Sequence, residues 1–328
     1  MVQDSNIFRP TKMGENVDAH LLEQLKKLQA KYNVMGQDLS SYLDGLLYSD
    51  YLTYWDYIRL DTLLSLQSPE TSFPDEKVFI LYHQITELYF RMIMLELEQI
   101  STRPNIDARF FLDRIDRIIR YFQNLVSSFE IMVVGMEKEQ FLKFRMALLP
   151  ASGFQSAQYR LIEIGSTDMI NLVSVEDRSN LQDADLNAML EKLYWRSGAT
   201  ELASGKKTLT LQQFEAKYMT TFYDAGVRYK GKNLLHIFRE NFEQSEYREE
   251  IVERLKQYDH LANLQWRFAH LKSAGHYLQK NQKEIKATGG TNWQKYLPSR
   301  FQKIMFFPDL WTTQEHADWG KSVMQAMH

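Results

Sequence analysis

Three segments of the chain place a histidine or an arginine among apolar side chains at helical spacing. In the first, VFILYHQITELYF, the residues Phe79, His83 and Glu87 recur every four positions and therefore share one helix face. A histidine on so apolar a helix must be hydrogen-bonded or placed for chemistry. The residues alone leave two interpretations open, a core histidine paired with Glu87 and a catalytic histidine.

The second segment, FLKFRMALLPASGFQSAQYR, places an arginine on an apolar stripe. Phe141, Arg145 and Leu148 fall at i, i+4 and i+7, so the guanidinium lies between two apolar side chains. Arginine binds a carboxylate through two parallel hydrogen bonds. An apolar pocket beside a carboxylate clamp suits an aromatic amino acid, and a structural ion pair with Asp or Glu is the alternative.

The third segment, NLQWRFAHLKSAGHY, puts Trp266 and His270 one helical turn apart. A neutral imidazole backed by an aromatic wall suits an axial ligand of haem iron. A fourth segment, the loop 287–292, has Gly289 and Gly290 flanked by threonines, which lets the backbone approach a ligand closely. A surface turn is equally compatible with that loop.

The elements that position these segments are predicted to be helices. The 328 residues include only 14 Gly and 7 Pro, so few breakers interrupt the chain. Residues 75–101 are apolar on nearly every side, which predicts a buried central helix. The predicted fold class is all-α, with a single large domain of about ten helices over residues 1–328. Helices are expected at 16–33, 75–101, 107–134, 137–148, 153–165, 179–195, 208–223, 233–258 and 259–282, and loops at 67–74, 166–178, 197–207, 225–232 and 286–292.

Composition excludes several kinds of site. The chain has no cysteine, which excludes disulfides, thiolate nucleophiles, iron–sulfur clusters and thiolate-ligated or covalently attached haem. Any haem would be non-covalent and held by histidine. The net charge of −3 gives no basic surface for nucleic acid or an anionic membrane, so neither partner is expected. No apolar run approaches the roughly 20 residues of a membrane span, and the N-terminal segment lacks a signal peptide's apolar core. We expect a cytoplasmic protein.

Taken in order, these segments resemble the tryptophan 2,3-dioxygenase family across roughly residues 54–310. The blocks that carry the resemblance are YWDYIRLDTLL at 54–64, FILYHQITEL at 79–88, FR at 144–145 with PASGFQS at 150–156, QWRFAH at 265–270, TGGT at 288–291 and FFP at 306–308. Three positions depart from the family pattern. Tyr89 stands where tryptophan is usual, Trp55 where a small residue is common, and Ala287 where glycine precedes the loop. These departures bear on substrate preference.

The resemblance implies an all-helical domain enclosing a haem pocket, with haem b, iron and O2 as the chemical equipment. His270 would be the proximal ligand of the metal, and the other cofactor-binding residues would be Trp266, Ser152 and Arg160. The implied reaction cleaves the indole C2–C3 bond of L-tryptophan to give N-formylkynurenine, in tryptophan catabolism by the kynurenine pathway.

The resemblance also assigns the substrate contacts. His83 would be the catalytic distal histidine near the indole N–H, Arg145 would bind the carboxylate, and Thr288 would bind the ammonium group. The remaining substrate-binding residues would line the ring pocket: Phe79, Phe141, Leu148, Tyr54, Tyr57 and Ile58. The substrate would be L-tryptophan or a close aromatic analogue.

The resemblance further implies a homotetramer in which an N-terminal extension, residues 1–50, packs on a neighbouring subunit. A helix at 16–33 that folds back on its own domain is equally compatible. Two other functions stay open at this point. One is a related haem-dependent monooxygenase or hydroxylase acting on another aromatic amino acid or an indole derivative. The other is a non-enzymatic helical protein that binds haem or a partner.

Overall fold

The computed structural model describes residues 18–48, 53–148, 155–199, 206–280, 283–284 and 303–321. In these ranges the fold is all-α, as predicted, with one antiparallel ladder of two residues a side and an isolated bridge between Val173 and Leu193. The α-helices are α1 (Ala19–Val34), α2 (Leu39–Tyr48), α3 (Tyr54–Tyr57), α4 (Leu60–Leu64), α5 (Pro74–Thr102), α6 (Ala108–Ser128), α7 (Glu130–Val134), α8 (Lys138–Phe144), α9 (Ala157–Ser166), α10 (Met169–Leu172), α11 (Val175–Arg178), α12 (Leu186–Glu191), α13 (Leu209–Tyr229), α14 (Leu234–Asn241), α15 (Arg248–His260), α16 (Trp266–Leu278) and α17 (Thr313–Asp318). The other elements are 3-10 helices at Tyr194–Ala199 and Pro308–Leu310, a π-helix at Leu261–Gln265, and strands β1 (Gln279–Lys280) and β2 (Lys283–Glu284).

The chain divides into two compact units, Met1–Leu66 and Gln67–His328. The first contains α1 to α4, and none of its described residues is buried. The second contains α5 to α17 and the hydrophobic core. The interpretation of residues 1–328 as a single domain with an extension at 1–50 stays a prediction. No helix in the described ranges combines the length and the apolar character needed to cross a bilayer.

The core of the second unit is built around α5 and α6. Helix α6 buries Phe111, Ile115, Ile118 and Phe122 along one stripe at i, i+4, i+7 and i+11. Each such side chain contributes roughly 1.5–3 kcal/mol by leaving water. The Asp107 carboxylate begins the helix by accepting a hydrogen bond of 2.8 Å from the Phe110 N–H. The buried apolar stripe of α6 packs against the neighbouring helices and so holds in place the helices that carry the candidate site.

The prediction that the 75–101 helix is buried on every side is wrong for the described chain. Helix α5 buries Phe90 and Ile93 but leaves Leu81, Ile85 and Leu88 between 39% and 52% exposed. These three leucine and isoleucine residues recur at i, i+4 and i+7 and so form one open apolar stripe. The apolar composition of α5 therefore reflects two different faces, one in the core and one on the surface.

Several predicted boundaries were also wrong, and one error has a clear physical cause. The predicted loop at 225–232 is helical as far as Tyr229, because α13 continues through Gly226. A Cβ atom on Gly226 would lie 2.9 Å from a methyl group of Leu186, so glycine allows close packing against α12 there. The predicted helices at 107–134 and 233–258 are each broken into two. Within the predicted 179–195, only Leu186–Glu191 is α-helical, and a 3-10 helix begins at Tyr194.

Candidate functional site

The first half of α5 carries Phe79 and His83, and its beginning is tied to the segment before α8. Pro74 occupies the first turn of α5, where the absent N–H has no helical partner to lose. The Asp75 carboxylate accepts a hydrogen bond of 2.6 Å from the Glu137 N–H. This bond fixes where α8 begins relative to α5 and so positions the two segments that the sequence singled out.

The imidazole of His83 is held by the backbone of its own helix. Its Nδ1 lies 2.7 Å from the carbonyl oxygen of Phe79, and the two rings are 4.1 Å apart. The predicted pairing with Glu87 is wrong, because the Glu87 carboxylate instead accepts a hydrogen bond of 2.8 Å from Gln158 on α9. The ion pair with Glu87 was the reason to interpret His83 as a core histidine. Without it, the interpretation of His83 as a catalytic histidine is favoured.

His83 is accessible to solvent and yet closely surrounded by protein. Its side chain falls in the exposed class, while burial lowers the pKa of the imidazole and the Phe79 carbonyl and the charge of Glu87 offset only part of that. The surrounding protein therefore disfavours the charged form of the ring even though the side chain is accessible.

The imidazole of His270 is held in the same way on α16. Its Nδ1 lies 2.9 Å from the carbonyl oxygen of Trp266. The rings of Trp266 and Phe129 each lie 4.4 Å from the His270 ring. Burial lowers the pKa of His270 to about 4, partly opposed by the Trp266 carbonyl, and a charge on His83 would lower it further. At neutral pH the ring is therefore uncharged, with Nδ1 as the donor.

The two histidines, 187 positions apart in the sequence, are near enough in the fold for the charge of one to affect the other. In both rings Nδ1 is engaged with a carbonyl four residues earlier. In neither does Nε2 form a hydrogen bond with a described residue. A neutral imidazole with one nitrogen fixed and the other open is the form that binds a metal or accepts a proton donor.

Aromatic rings from α5, α8 and α16 form a wall beside His83. The ring of Phe141 lies 6.2 Å from Phe79, 5.5 Å from Phe144 and 4.5 Å from Tyr277. The sequence prediction included Phe79 and Phe141 but missed Phe144 and Tyr277. The signal for both was helical spacing, since Phe144 follows Phe141 by three residues and Tyr277 follows His270 by seven.

Arg145 lies at the end of α8 and is only 4% exposed. Its N–H donates to the Phe141 carbonyl at 3.0 Å, and its own carbonyl accepts from the Leu148 N–H at 3.2 Å. The predicted spacing of these three residues is therefore realised in consecutive turns. Burial lowers the pKa of Arg145, but a guanidinium keeps its charge at any physiological pH. A buried cation beside an aromatic wall suits an anionic group on an aromatic ligand.

The structure does not place every predicted site residue at this wall. Tyr54, Tyr57 and Ile58 belong to the unit Met1–Leu66, where the two tyrosines are 71% and 77% exposed. Ser152 and Thr288 lie outside the described residues. The roles predicted for these five residues stay predictions.

Arg160 lies in a buried polar network behind the Trp266 side of the site. Its Nη1 donates to the Glu163 carboxylate at 2.9 Å and to the Tyr194 hydroxyl at 2.8 Å. Arg267 donates to the same hydroxyl at 2.6 Å. Burial raises the pKa of Glu163, although the two arginines oppose the rise. The predicted contact of Arg160 with a cofactor stays a prediction.

A separate cleft of about 500 Å³ lies along α15. Its walls include Val252, Lys256 and Trp311, and none of the candidate site residues lines it. The chemistry-bearing side chains described above are therefore distinct from this cleft.

The chain is similar to known proteins over most of its length. A family model described as tryptophan 2,3-dioxygenase matches residues 45–192, which include His83 and Arg145. The tryptophan 2,3-dioxygenase of Ruegeria pomeroyi is 29% identical over 272 residues, which cover 80% of this chain and 92% of that protein. The enzyme of Anaeromyxobacter dehalogenans is 28% identical over 274 residues, covering 83% of this chain and 98% of that protein.

A third relative, tryptophan 2,3-dioxygenase 2 of Ralstonia nicotianae, is 34% identical over 164 residues, covering 47% of this chain and 42% of that protein. His270 lies beyond the range that the family model matches. The geometry around His270 is therefore an observation independent of that match. The resemblance to the tryptophan 2,3-dioxygenase family that the sequence predicted is therefore confirmed.

Proposed function

We propose that this protein cleaves the indole C2–C3 bond of L-tryptophan with O2 and releases N-formylkynurenine, with non-covalently bound haem b as cofactor. The observation that carries the proposal is the proximity of His83 and His270, close enough for the charge of one to affect the other, with each ring fixed through Nδ1 to its own helix. The reaction adds both atoms of O2 across one carbon–carbon double bond. Because both oxygen atoms enter the product, the reaction consumes no external reductant.

The donor groups present fit haem. Within the described residues no three His, Asp or Glu side chains gather to hold a bare metal ion. Haem would bring its own porphyrin nitrogens to the iron, so one histidine from the protein would be enough to hold it. The neutral His270, with its Nδ1 bonded to the Trp266 carbonyl, offers Nε2 for that role. The edge-on ring of Trp266 and the tilted ring of Phe129 would keep the imidazole from turning.

Arg145 and Thr288 would fix the amino-acid end of the substrate. The buried guanidinium of Arg145 can bind the carboxylate through two hydrogen bonds, which are strong where water is excluded. Thr288 would accept a hydrogen bond from the ammonium group. Holding both ends of the amino acid fixes the position of the indole, and positioning of this kind supplies several kcal/mol of a barrier, of the order of 7 in favourable cases.

His83 would accept a hydrogen bond from the indole N–H through Nε2. Its lowered pKa keeps the ring neutral, so that nitrogen is available as an acceptor at neutral pH. Indole N–H is too weak an acid for His83 to remove its proton outright. The wall formed by Phe79 and Phe141 would enclose the ring and exclude water. Haem, when bound, supplies the activation of O2, and the protein supplies orientation.

We also propose that the protein is a cytoplasmic homotetramer. The first unit supports the assembly, because Leu46 and Leu47 are 69% and 81% exposed in the chain and apolar patches of this kind commonly mark interfaces. Light scattering of the purified full chain should give four times the 38.8 kDa of one subunit, and a monomeric mass would contradict the assembly. Cell fractionation tests the location.

The central experiment compares the wild-type chain with His270→Gly, both expressed with haem supplied. We expect a Soret band in the wild type that shifts with L-tryptophan, and formation of N-formylkynurenine in air. Removing a residue that bonds to a metal ligand typically lowers metal affinity or activity roughly 10- to 100-fold. His270→Gly removes the proposed ligand itself, so its haem affinity and activity should fall by more than that, and added imidazole should restore part of both. Equal haem binding and turnover in both proteins would contradict the proposal.

A related monooxygenase is the second candidate, and the product decides between them. With ¹⁸O2 the dioxygenase product carries two labelled atoms, whereas a hydroxylated product carries one. The observation that keeps the alternative in view is Trp55, a bulky residue where the family commonly has a small one. A larger side chain there would change which aromatic substrate fits.

A further inference from the structure

The helix that carries His270 contains a π-turn just before it. Helix α15, the π-turn Leu261–Gln265 and α16 follow one another without a break. The Trp266 N–H donates to the Leu261 carbonyl five residues earlier, instead of four as in an α-helix. One extra residue in a helical turn rotates everything after it by about 100° around the helix axis. The π-turn therefore determines which side of the long helix His270 occupies.

A tyrosine from α9 bonds to the backbone of the π-turn. The Tyr159 hydroxyl donates to the carbonyl oxygen of Ala262 at 3.0 Å, and both residues are buried. In a widened turn some carbonyl oxygens lack a good hydrogen-bond donor within the helix. A donor from another element therefore stabilises the turn. The Tyr159 ring lies 5.4 Å from Phe90, whose ring lies 5.9 Å from Trp266. Tyr159 thus contacts the turn through its hydroxyl and supports the Trp266 side through its ring.

A second set of bonds spans the π-turn from one end to the other. The Asn263 amide donates to the Asp259 carboxylate at 2.8 Å and accepts from Arg267 at 3.0 Å. Asp259 precedes the turn and Arg267 follows it, and all three side chains are buried. Arg267 also donates to the Tyr194 hydroxyl, which belongs to another element. The turn is therefore held at both ends and in the middle.

We propose that Tyr159 and the Asn263–Arg267 pair are positioning residues that keep the π-turn in register and so aim His270 into the site. None of these side chains needs to touch substrate or cofactor for this role. The inference rests on the proposed function only in taking His270 as the ligand. The statement that Tyr159 and Asn263 maintain the π-turn does not depend on any cofactor.

The first test uses the cofactor-free protein and compares Tyr159→Phe with Tyr258→Phe. Tyr258 is an equally buried tyrosine on α15 whose hydroxyl bonds to Ser166 at 2.7 Å, outside the π-turn. Loss of one buried hydrogen bond should raise local amide exchange several-fold, roughly three- to tenfold. We expect that rise over residues 261–267 in Tyr159→Phe and not in Tyr258→Phe. Unchanged exchange in Tyr159→Phe would overturn the inference.

The second test asks whether Tyr159 acts through His270. Haem release to an excess of a haem-free acceptor is timed in the wild-type background and in His270→Gly supplied with imidazole. Tyr159→Phe should speed release roughly three- to tenfold when His270 is present. It should have no effect when free imidazole replaces the side chain, because imidazole is not attached to the helix. A general loss of stability would speed release equally in both backgrounds and would contradict a positioning role.

The resonance Raman band of the ferrous iron–histidine stretch gives a readout that folding stability does not move. We expect Tyr159→Phe and Asn263→Ala to shift this band, and Tyr258→Phe to leave it in place. If the wild type retains haem no better than His270→Gly, the proposed function is wrong, and so is the claim that the π-turn positions His270 as a ligand. The amide-exchange result would still decide which residues maintain the π-turn. If the wild type does retain haem through His270 and neither variant shifts the band, the inference alone is wrong.

Discussion

The His83–His270 pocket and the buried network around Glu163 belong to the same helical unit, but they treat polar groups in opposite ways. In the network, the Glu163 carboxylate accepts from Arg160, Arg267 and the Tyr194 hydroxyl. In the pocket, each histidine engages Nδ1 and leaves Nε2 without a described partner.

The difference separates what the fold needs from what the chemistry needs. The ion pairs and hydrogen bonds around Glu163 fix helices in place, because any movement of those helices breaks them. An imidazole nitrogen that bonds to no described residue can instead take a ligand. Variants in the network should therefore change stability, and variants in the pocket should change binding and turnover with the fold preserved.

Glu163→Gln should have the largest effect and should appear in stability. Removing the charge leaves the buried Arg160 and Arg267 without their counter-ion, and breaking a buried ion pair costs about 3–5 kcal/mol. Urea denaturation of the cofactor-free protein measures it. Glu191→Gln is the matched control, because Glu191 is 63% exposed and pairs with Arg196 at 3.0 Å. The loss in this control should be at most about 1 kcal/mol, because Glu191 is exposed and the buried Arg196 keeps Glu215 as a second partner at 2.6 Å. Equal losses in the two variants would remove the contrast between closed network and surface.

Arg145→Ala should come next and should appear in kinetics. Loss of a buried partner for the substrate carboxylate should lower kcat/KM for L-tryptophan roughly 30- to 1000-fold, or about 2–4 kcal/mol. Tryptamine, which lacks the carboxylate, is the matched substrate and should lose far less in the variant than L-tryptophan does. Equal losses for the two substrates would mean that Arg145 supports the fold rather than the carboxylate. Arg145→Lys should recover part of the activity, because the positive charge remains but the two parallel hydrogen bonds of the guanidinium are lost.

The sequence predicted the local patterns of this site well and its long-range partners poorly. The spacing of Phe141, Arg145 and Leu148 is preserved because it depends only on consecutive turns of chain. The pairing of His83 with Glu87 failed because Gln158, 71 residues further along, competes for the same carboxylate. Such a contact depends on how α5 packs on α9. Helical periodicity gives no information on it.

The π-turn shows the same limit at the level of the backbone. The sequence predicted one helix ending at 258 and another beginning at 259, and the structure shows a helical course that continues across that boundary from 248 to 278. The spacing of apolar residues does not reveal the extra residue in the turn. The apolar stripe is wide enough that its pattern looks the same after a shift of one residue. It is visible only through its partners, and Tyr159 lies 103 positions before Ala262.

Lowering the pH should weaken the cofactor-free protein through His270. Burial lowers its pKa to about 4 in the folded state, below the ordinary imidazole value of 6.5. Between these values the unfolded chain binds more protons, so the free energy of unfolding falls as the pH drops from about 6.5 to about 4, by up to roughly 3 kcal/mol. His270→Gln, which does not titrate, should lose correspondingly less over that window. Identical pH dependence of urea midpoints in the two proteins would show that His270 is not held neutral by burial.

His83→Ala should have the smallest effect of the four and sharpens the comparison most. Its Nε2 is proposed to accept one hydrogen bond from a neutral N–H, and such a bond is worth about 1 kcal/mol, or roughly a fivefold to tenfold loss in kcat/KM. His83→Gln, which keeps an acceptor, should recover part of that loss. Because the side chain is exposed and its only described bond is to its own helix, unfolding by urea should be nearly unchanged. A loss larger than that of Arg145→Ala would make His83 a required base, and the open nitrogen in this pocket would then serve proton transfer instead of orientation.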